Sequence, residues 1–269
     1  MADQQPGAVA GGVGLEVTGG IARLTFDQPR RLNAMTLDMW RSIPERIDRA
    51  VGNADVRVLL VRGAGERAFS AGADISEFGT VRADVAQAAA YEQAVSAATE
   101  ALLQAPVPTV AAIRGVCFGG GLELALCCDL RLSDDTARFR MPGARLGLGY
   151  AFALVRLVVQ RVGPAAAADL LFSARVVSAG EAESLGIVQR VEPASAFDGA
   201  VDDYLGLIAG NAPLTLRAAK RAMMEAVRPD GQADAGAVDA LVARCFASAD
   251  YAEGRAAFAQ KREPEFKGE

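Results

Sequence analysis

The hydrophobic positions of the chain alternate between two periods, which sets the order of its elements. Ile21 to Phe26 has the pattern of a strand, and Met39, Ile43 and Ile47 recur at helical spacing. Asn33 or Thr36 is placed to cap that helix, and Pro44, early within it, offers a second start. Val56 to Arg62 is a continuous apolar run of the buried-strand type, closed by Gly63-Ala64-Gly65. A loop at Ala68 to Ile75 precedes a long Ala-rich helix from Asp84 to Leu103, which Pro106 and Pro108 stop. Thr109 to Ile113 is a second buried strand, and Gly119-Gly120-Gly121 opens a helix through Glu123, Leu124 and Leu126. Leu130 to Leu132 is a short strand. Leu146 to Tyr150 is a loop before a helix carrying Leu154, Leu157 and Val158. A short helix at Ala179 to Leu185 and a strand at Ile187 to Val191 complete the alternation. From Val201 onward the pattern is helical, broken at Pro213 and Pro229. The expectation is an α/β protein. Its parts are a frayed N-terminus at 1–13, an α/β core at 14–198 and a helical region at 199–269, with no internal repeat.

Composition narrows the chemistry. Half of the 269 residues are hydrophobic (51%) and mean hydropathy is +0.18, which argues for a folded chain. The net charge of -5 argues against nucleic acid as the main partner. No apolar run reaches the roughly 18 residues of a membrane span; Arg114 and Glu123 interrupt the longest candidate. The N-terminus lacks a basic stretch followed by an apolar one, so no signal peptide and a cytoplasmic setting are expected. Cys117, Cys127, Cys128 and Cys245 lack the spacing of a disulfide framework and read as small apolar residues of a reducing compartment. There is no histidine at all. That excludes Ser-His-Asp and Cys-His nucleophile systems and any His-ligated metal, and leaves proton transfer to carboxylates, Tyr, Lys, Cys or water.

Three glycine-rich points remain. Gly63 to Ala68 fits G-x-G-x-x-A, but Phe69-Ser70-Ala71-Gly72 breaks the helix that a dinucleotide site needs, so a tight turn after a strand is the better reading. Gly119-Gly120-Gly121 leaves backbone N–H groups open at a strand-to-helix junction, where they can meet a developing oxyanion, and Glu123 then falls in the first helical turn. Close packing of that helix on a sheet accounts for the glycines equally well. Ala71-Gly72-Ala73-Asp74 again exposes backbone donors, and Asp74 is placed to cap the next turn.

Together these segments resemble a known family. Phe69-Ser70-Ala71-Gly72-Ala73-Asp74-Ile75, the run from Arg114 to Ala125 and Cys128-Asp129-Leu130 are similar to the crotonase family, also called the enoyl-CoA hydratase/isomerase superfamily. So are Asn33-Ala34-Met35, Gly186-Ile187-Val188, Asp250 to Gly254 and Phe258 to Arg262. The resemblance implies a spiral of β-β-α units with a C-terminal helical trimerisation region, assembled as a homotrimer or a dimer of trimers. It implies an acyl-CoA substrate, with coenzyme A as part of the substrate and no separate cofactor or metal. It places an oxyanion hole at the backbone N–H groups of Ala73 and Gly120 and a catalytic carboxylate at Glu123. It also places Arg30 near the phosphate or ribose of CoA, Leu32, Ala34, Ala71 and Ile75 around the adenine and pantetheine, and Lys261 within reach of a neighbouring subunit's phosphate.

The sequence departs from the hydratase pattern at one decisive point. Hydratases hold water between two glutamates, and the position matching the second is Gly143. The following Leu146-Gly147-Leu148-Gly149-Tyr150 resembles the loop of the methylmalonyl-CoA decarboxylase branch, where a tyrosine orients a carboxylate. Histidine often stands at the Ala73 position in that branch, but the contact there is through the backbone. Three readings follow: a hydratase or isomerase using Glu123 alone, a decarboxylase of a malonyl-type thioester using Glu123 and Tyr150, and an acyl-CoA binder without chemistry.

Overall fold

The computed structural model describes residues 11–229 and 231–269. A hairpin opens the fold: β1 (Gly12–Thr18) pairs antiparallel with β2 (Ile21–Asp27), Leu15 facing Leu24. A turn at Pro29–Arg31 leads into α1 (Leu37–Val51). Three β-β-α turns follow. The first is β3 (Val58–Gly63), β4 (Ala68–Ser70), α2 (Phe78–Val81) and α3 (Val85–Leu103). The second is β5 (Thr109–Ile113), β6 (Val116–Phe118) and α4 (Gly120–Cys127). The third is β7 (Leu130–Asp134), β8 (Arg138–Arg140), α5 (Gly143–Leu146) and α6 (Phe152–Ala168). The chain then runs through β9 (Val177–Ser178), α7 (Ala179–Ser184) and β10 (Arg190–Glu192). It continues as α8 (Phe197–Ala209), α9 (Pro213–Ala226), α10 (Ala235–Phe246) and α11 (Ala249–Gln260).

The first strand of each turn joins one sheet and the second strand joins another. The large sheet has the order β1-β2-β3-β5-β7-β10, parallel from β2 onward, and the small sheet has the order β4-β6-β8-β9. This is the expected α/β spiral of β-β-α units. The middle of the large sheet is covered on both faces, so β3 and β5 are apolar almost without alternation, whereas β2 alternates. Leu59, Val61, Ala111 and Ile113 face the main core with Phe26, Phe69, Trp40 and Tyr91. Val58, Leu60, Val110 and Ala112 face Phe197, Val201 and Leu205 of α8. Cys117, Cys127 and Cys128 are buried, and burial pushes their thiols up.

Several expectations change. β1 begins at Gly12, inside the stretch expected to be frayed; residues 1–10 lie outside the described residues. Pro44 does not restart α1 but lies within it. The buried stripe of Met39, Trp40, Ile43, Ile47 and Ala50 offsets the roughly 3 kcal/mol that an internal proline costs. Thr36, not Asn33, caps α1. The three-residue strands of the small sheet carry too few positions for a period to show, and β10 begins at Arg190 rather than Ile187. Pro213 opens α9 at a position where its missing N–H would have had no partner. The G-x-G-x-x-A segment is, as expected, a turn after a strand and not a helix start: Ala68 begins β4.

Candidate active site

Two loops meet where the strands of the small sheet end. Met35 bridges the loop after β4 in parallel at Ala73: Met35 N–H donates to Gly72 O at 2.7 Å, and Asp74 N–H donates to Met35 O at 2.9 Å. Both neighbours of Ala73 are thus tied to Met35, while Ala73 N–H points away from the bridge. Gly72 reaches this turn at φ 93°, in the left-handed region, with its N–H on Ser70 Oγ. Asp74, buried, accepts from Ser76 N–H as expected of a cap, and also from Arg31 Nη1 at 2.8 Å. These charge-assisted bonds outweigh its burial and hold its carboxyl below the ordinary value.

Gly119 precedes α4 at φ 50°, again left-handed, and makes no side-chain cap. Gly120 is the first residue of α4, where an N–H has no intrahelical acceptor. Ala73 N lies 3.9 Å from where a Cβ on Gly120 would stand, and Gly120 N lies 3.3 Å from where a Cβ on Gly72 would stand. Among the described residues neither the Ala73 nor the Gly120 N–H donates to another group. Two unengaged donors therefore sit side by side, an arrangement able to receive a localised negative charge on oxygen.

Glu123 follows Gly120 by three residues on α4, so the two are neighbours on the helix surface. Its carboxyl is pushed up to about 7, first by burial and second by the Glu92 carboxylate on α3. A carboxyl so placed can both accept and return a proton near neutral pH.

Gly143 opens α5, and Tyr150 turns back onto it. Gly143 N–H donates to the Tyr150 hydroxyl oxygen at 2.7 Å. A Cβ on Gly143 would stand 2.6 Å from that oxygen, so the phenol occupies the space a side chain at 143 would need. Burial raises the Tyr150 hydroxyl above its ordinary value, and the backbone bonds of Gly143 and Ala144 work against that rise. Glycine at 143 and tyrosine at 150 are thus complementary.

The positions expected to meet CoA fall into one cluster and two outliers. Ala71 N–H donates to Leu32 O, and Ala34 lies buried beside the Met35 bridge, so these loops form one rim with the Ala73 turn. Ile75, 66% exposed, stands on the same rim. Arg30 is exposed on its turn, whereas Arg31 is engaged by Asp74 and Ser76. Lys261 ends α11 on the surface, and no bond of the described residues ties it to that rim. Sequence reasoning did not single out Trp40, Tyr91, Glu92 or Arg82, which surround this site. Trp40 and Tyr91 look like ordinary apolar positions of two helices; only their pairing gives them a place near the loops.

Residues 16–269 match the family described as Enoyl-CoA hydratase/isomerase. The crotonyl-CoA hydratase of Syntrophomonas wolfei is 32% identical over 248 residues, which cover 91% of this chain and 94% of that protein. The short-chain-enoyl-CoA hydratase of Clostridium acetobutylicum is 30% identical over 251 residues, covering 93% of this chain and 95% of that one. The crystal structure of an enoyl-CoA hydratase/carnithine racemase from Magnetospirillum magneticum is similar at a TM-score of 0.90 and 37% identity, with 96% of each chain covered. With the spiral fold and the matched loops, these likenesses settle its membership: the chain belongs to the enoyl-CoA hydratase/isomerase family.

Proposed function

We propose that this chain is an acyl-CoA lyase or isomerase that passes through a thioester enolate. The observation that carries the reading is the pair of unengaged donors at Ala73 and Gly120 with Glu123 one helical turn further on. In this mechanism the two N–H groups form an oxyanion hole for the thioester oxygen. Glu123 takes a proton from water, whose oxygen adds to the β-carbon of an enoyl thioester. The electron pair of the double bond moves to the enolate oxygen held by the hole, and the Glu123 carboxyl then returns its proton to the α-carbon. In an isomerase the same carboxylate removes a proton from one carbon and returns it to another. One donor of such a hole is worth about 10²–10³ in rate. Tyr150 is the second polar group of the pocket, in place of a second carboxylate.

The substrate carries coenzyme A, and no separate cofactor or metal takes part. Arg30, Leu32, Ala34, Ala71 and Ile75 hold its nucleotide and pantetheine, and Lys261 acts from a neighbouring subunit of a homotrimer or dimer of trimers. No helix among the described residues is long and apolar enough to cross a membrane, and the setting proposed is the cytoplasm. The test is a mass-spectrometric screen of acyl-CoA thioesters, beginning with crotonyl-CoA. Turnover by the native chain and its loss in Glu123→Gln is the expected result; no turnover of any enoyl-CoA by the native chain overturns the reading.

The fit of Tyr150 over Gly143 favours a second reading, decarboxylation of a malonyl-type thioester, because a phenol there can orient a carboxylate as CO2 leaves. Release of CO2 from methylmalonyl-CoA, lost in Tyr150→Phe, supports it; silence across malonyl-CoA analogues removes it. Binding of acyl-CoA in calorimetry with no turnover of either substrate type identifies a binding protein instead.

A further inference from the structure

The three consecutive glycines at the start of α4 give the backbone no side chains of its own with which to fix its direction. Gly119 offers no side-chain cap, so each glycine depends on what stands against it. Ser70 lies against Gly121 and Pro142 against Gly119. Against Gly120 stands Trp40: its Cζ2 and Cη2 are 2.9 and 3.2 Å from where a Cβ on Gly120 would be. The indole edge therefore rests directly on the α-carbon of the residue whose N–H is half of the proposed oxyanion hole.

Trp40 is itself held. Its Nε1–H donates to the Tyr91 hydroxyl oxygen at 2.8 Å, and both residues are 1% exposed. The Arg82 guanidinium covers the Tyr91 ring from outside, its Cζ 3.8 Å from the ring centroid, and Arg82 is fixed by Glu92 at 3.1 Å. The line from Arg82 through Tyr91 and Trp40 to Gly120 joins α3 and α1 to the first residue of α4. Burial keeps the Tyr91 phenol neutral, with its hydroxyl pushed up to about 12.

We propose that Trp40, oriented by Tyr91, is a positioning residue for the Gly120 N–H. The inference rests on the oxyanion-hole reading. Misplacing a donor by an ångström can cost about 10²-fold in a preorganised site, so a loosened indole lowers the hole's affinity for an enolate more than its affinity for an unreacted thioester.

The experiment compares two ligands. Acetoacetyl-CoA forms an enolate that is followed by its absorbance, and butyryl-CoA binds as the plain thioester. Where Trp40 remains, butyryl-CoA binding is followed by the fluorescence of Trp40, the single tryptophan of the chain, and in the other variants by calorimetry. Tyr91→Phe leaves the buried Trp40 N–H without an acceptor, so its melting temperature falls. Its affinity for the enolate is expected to fall by about tenfold or more, with butyryl-CoA binding unchanged. Adding Trp40→Phe removes the orphaned donor. Phenylalanine leaves part of the indole volume empty, which offsets the gain in melting temperature, and enolate affinity stays low. If enolate affinity recovers in the double variant, if both ligands weaken alike, or if neither weakens, the positioning role is overturned. A native chain that binds butyryl-CoA but takes up no enolate overturns the oxyanion-hole reading itself, a separate result.

Discussion

At the scale of single residues, the proposed chemistry turns on Glu123 and Gly143. The Glu123 carboxyl stands at about 7 against an ordinary 4.5. As the proposed base it must be ionised, so turnover is expected to rise with pH through about 7, and Glu123→Gln is expected to reduce kcat by about 10²–10⁴-fold. The same shift acts on stability. The folded chain keeps this proton to higher pH than the unfolded chain, so the group's contribution falls between pH 4.5 and about 7 and is flat above. Glu123→Gln should therefore raise the melting temperature at pH 8 and leave it unchanged at pH 4, as calorimetric scans at both values will show. Gly143 was legible in the sequence as a missing glutamate. Its tertiary meaning is different: the space is filled by Tyr150. Gly143→Ala is expected to destabilise the fold by about 1–3 kcal/mol through overpacking, and much less in a Tyr150→Ala background, read as a double-mutant cycle in urea.

At the scale of elements, the site depends on short connections. Asn33 is wholly buried and left-handed at φ 52°. Its Nδ2 donates to Ala64 O and Ala68 O, and its Oδ1 accepts from Gln28 N–H. It thereby fastens the turn before α1, which carries part of the rim of the site, to the link between β3 and β4. Asn33→Ala would take the side-chain partner from three backbone groups, one buried and two part-buried, and put alanine in a left-handed conformation that asparagine tolerates better. A loss of about 2–4 kcal/mol is expected in urea unfolding. The sequence placed Asn33 among candidate caps for α1. Its long-range role was not legible, because a side chain's bonds to carbonyls 31 and 35 residues away leave no trace in a local pattern. Trp40 and Tyr91 show the same limit across 51 residues.

At the scale of the whole molecule, α9 is fastened to the core by a buried charge. Lys220 of α9, 5% exposed, donates to Val107 O at 2.9 Å and pairs with Asp129 at 2.9 Å, and Asp129 in turn accepts from Thr109 N–H. Lys220→Met removes the cation and leaves Asp129 beside the core. The expected loss is about 3 kcal/mol, measured as a lower urea midpoint. Phe246 and Phe258 of the last two helices are 63% and 88% exposed on one chain, as an assembling surface would be. In light scattering after size exclusion, the proposed trimer has three times the 28.0 kDa of one chain, and Phe258→Glu is expected to reduce that mass.

The sequence by itself determined the order of the long helices and of the large sheet's strands from β2 onward, the loops with small residues at Ala73 and Gly120, and the helical position of Glu123. Periodicity and glycine spacing are local, and so are the backbone preferences they report. Only the tertiary structure decided that these loops lie side by side with both N–H groups unengaged. It alone placed Tyr150 in the volume that Gly143 leaves open and the only tryptophan against Gly120. Those facts are contacts between segments far apart in the chain, fixed by packing two sheets and their helices into one core, and no single segment encodes them.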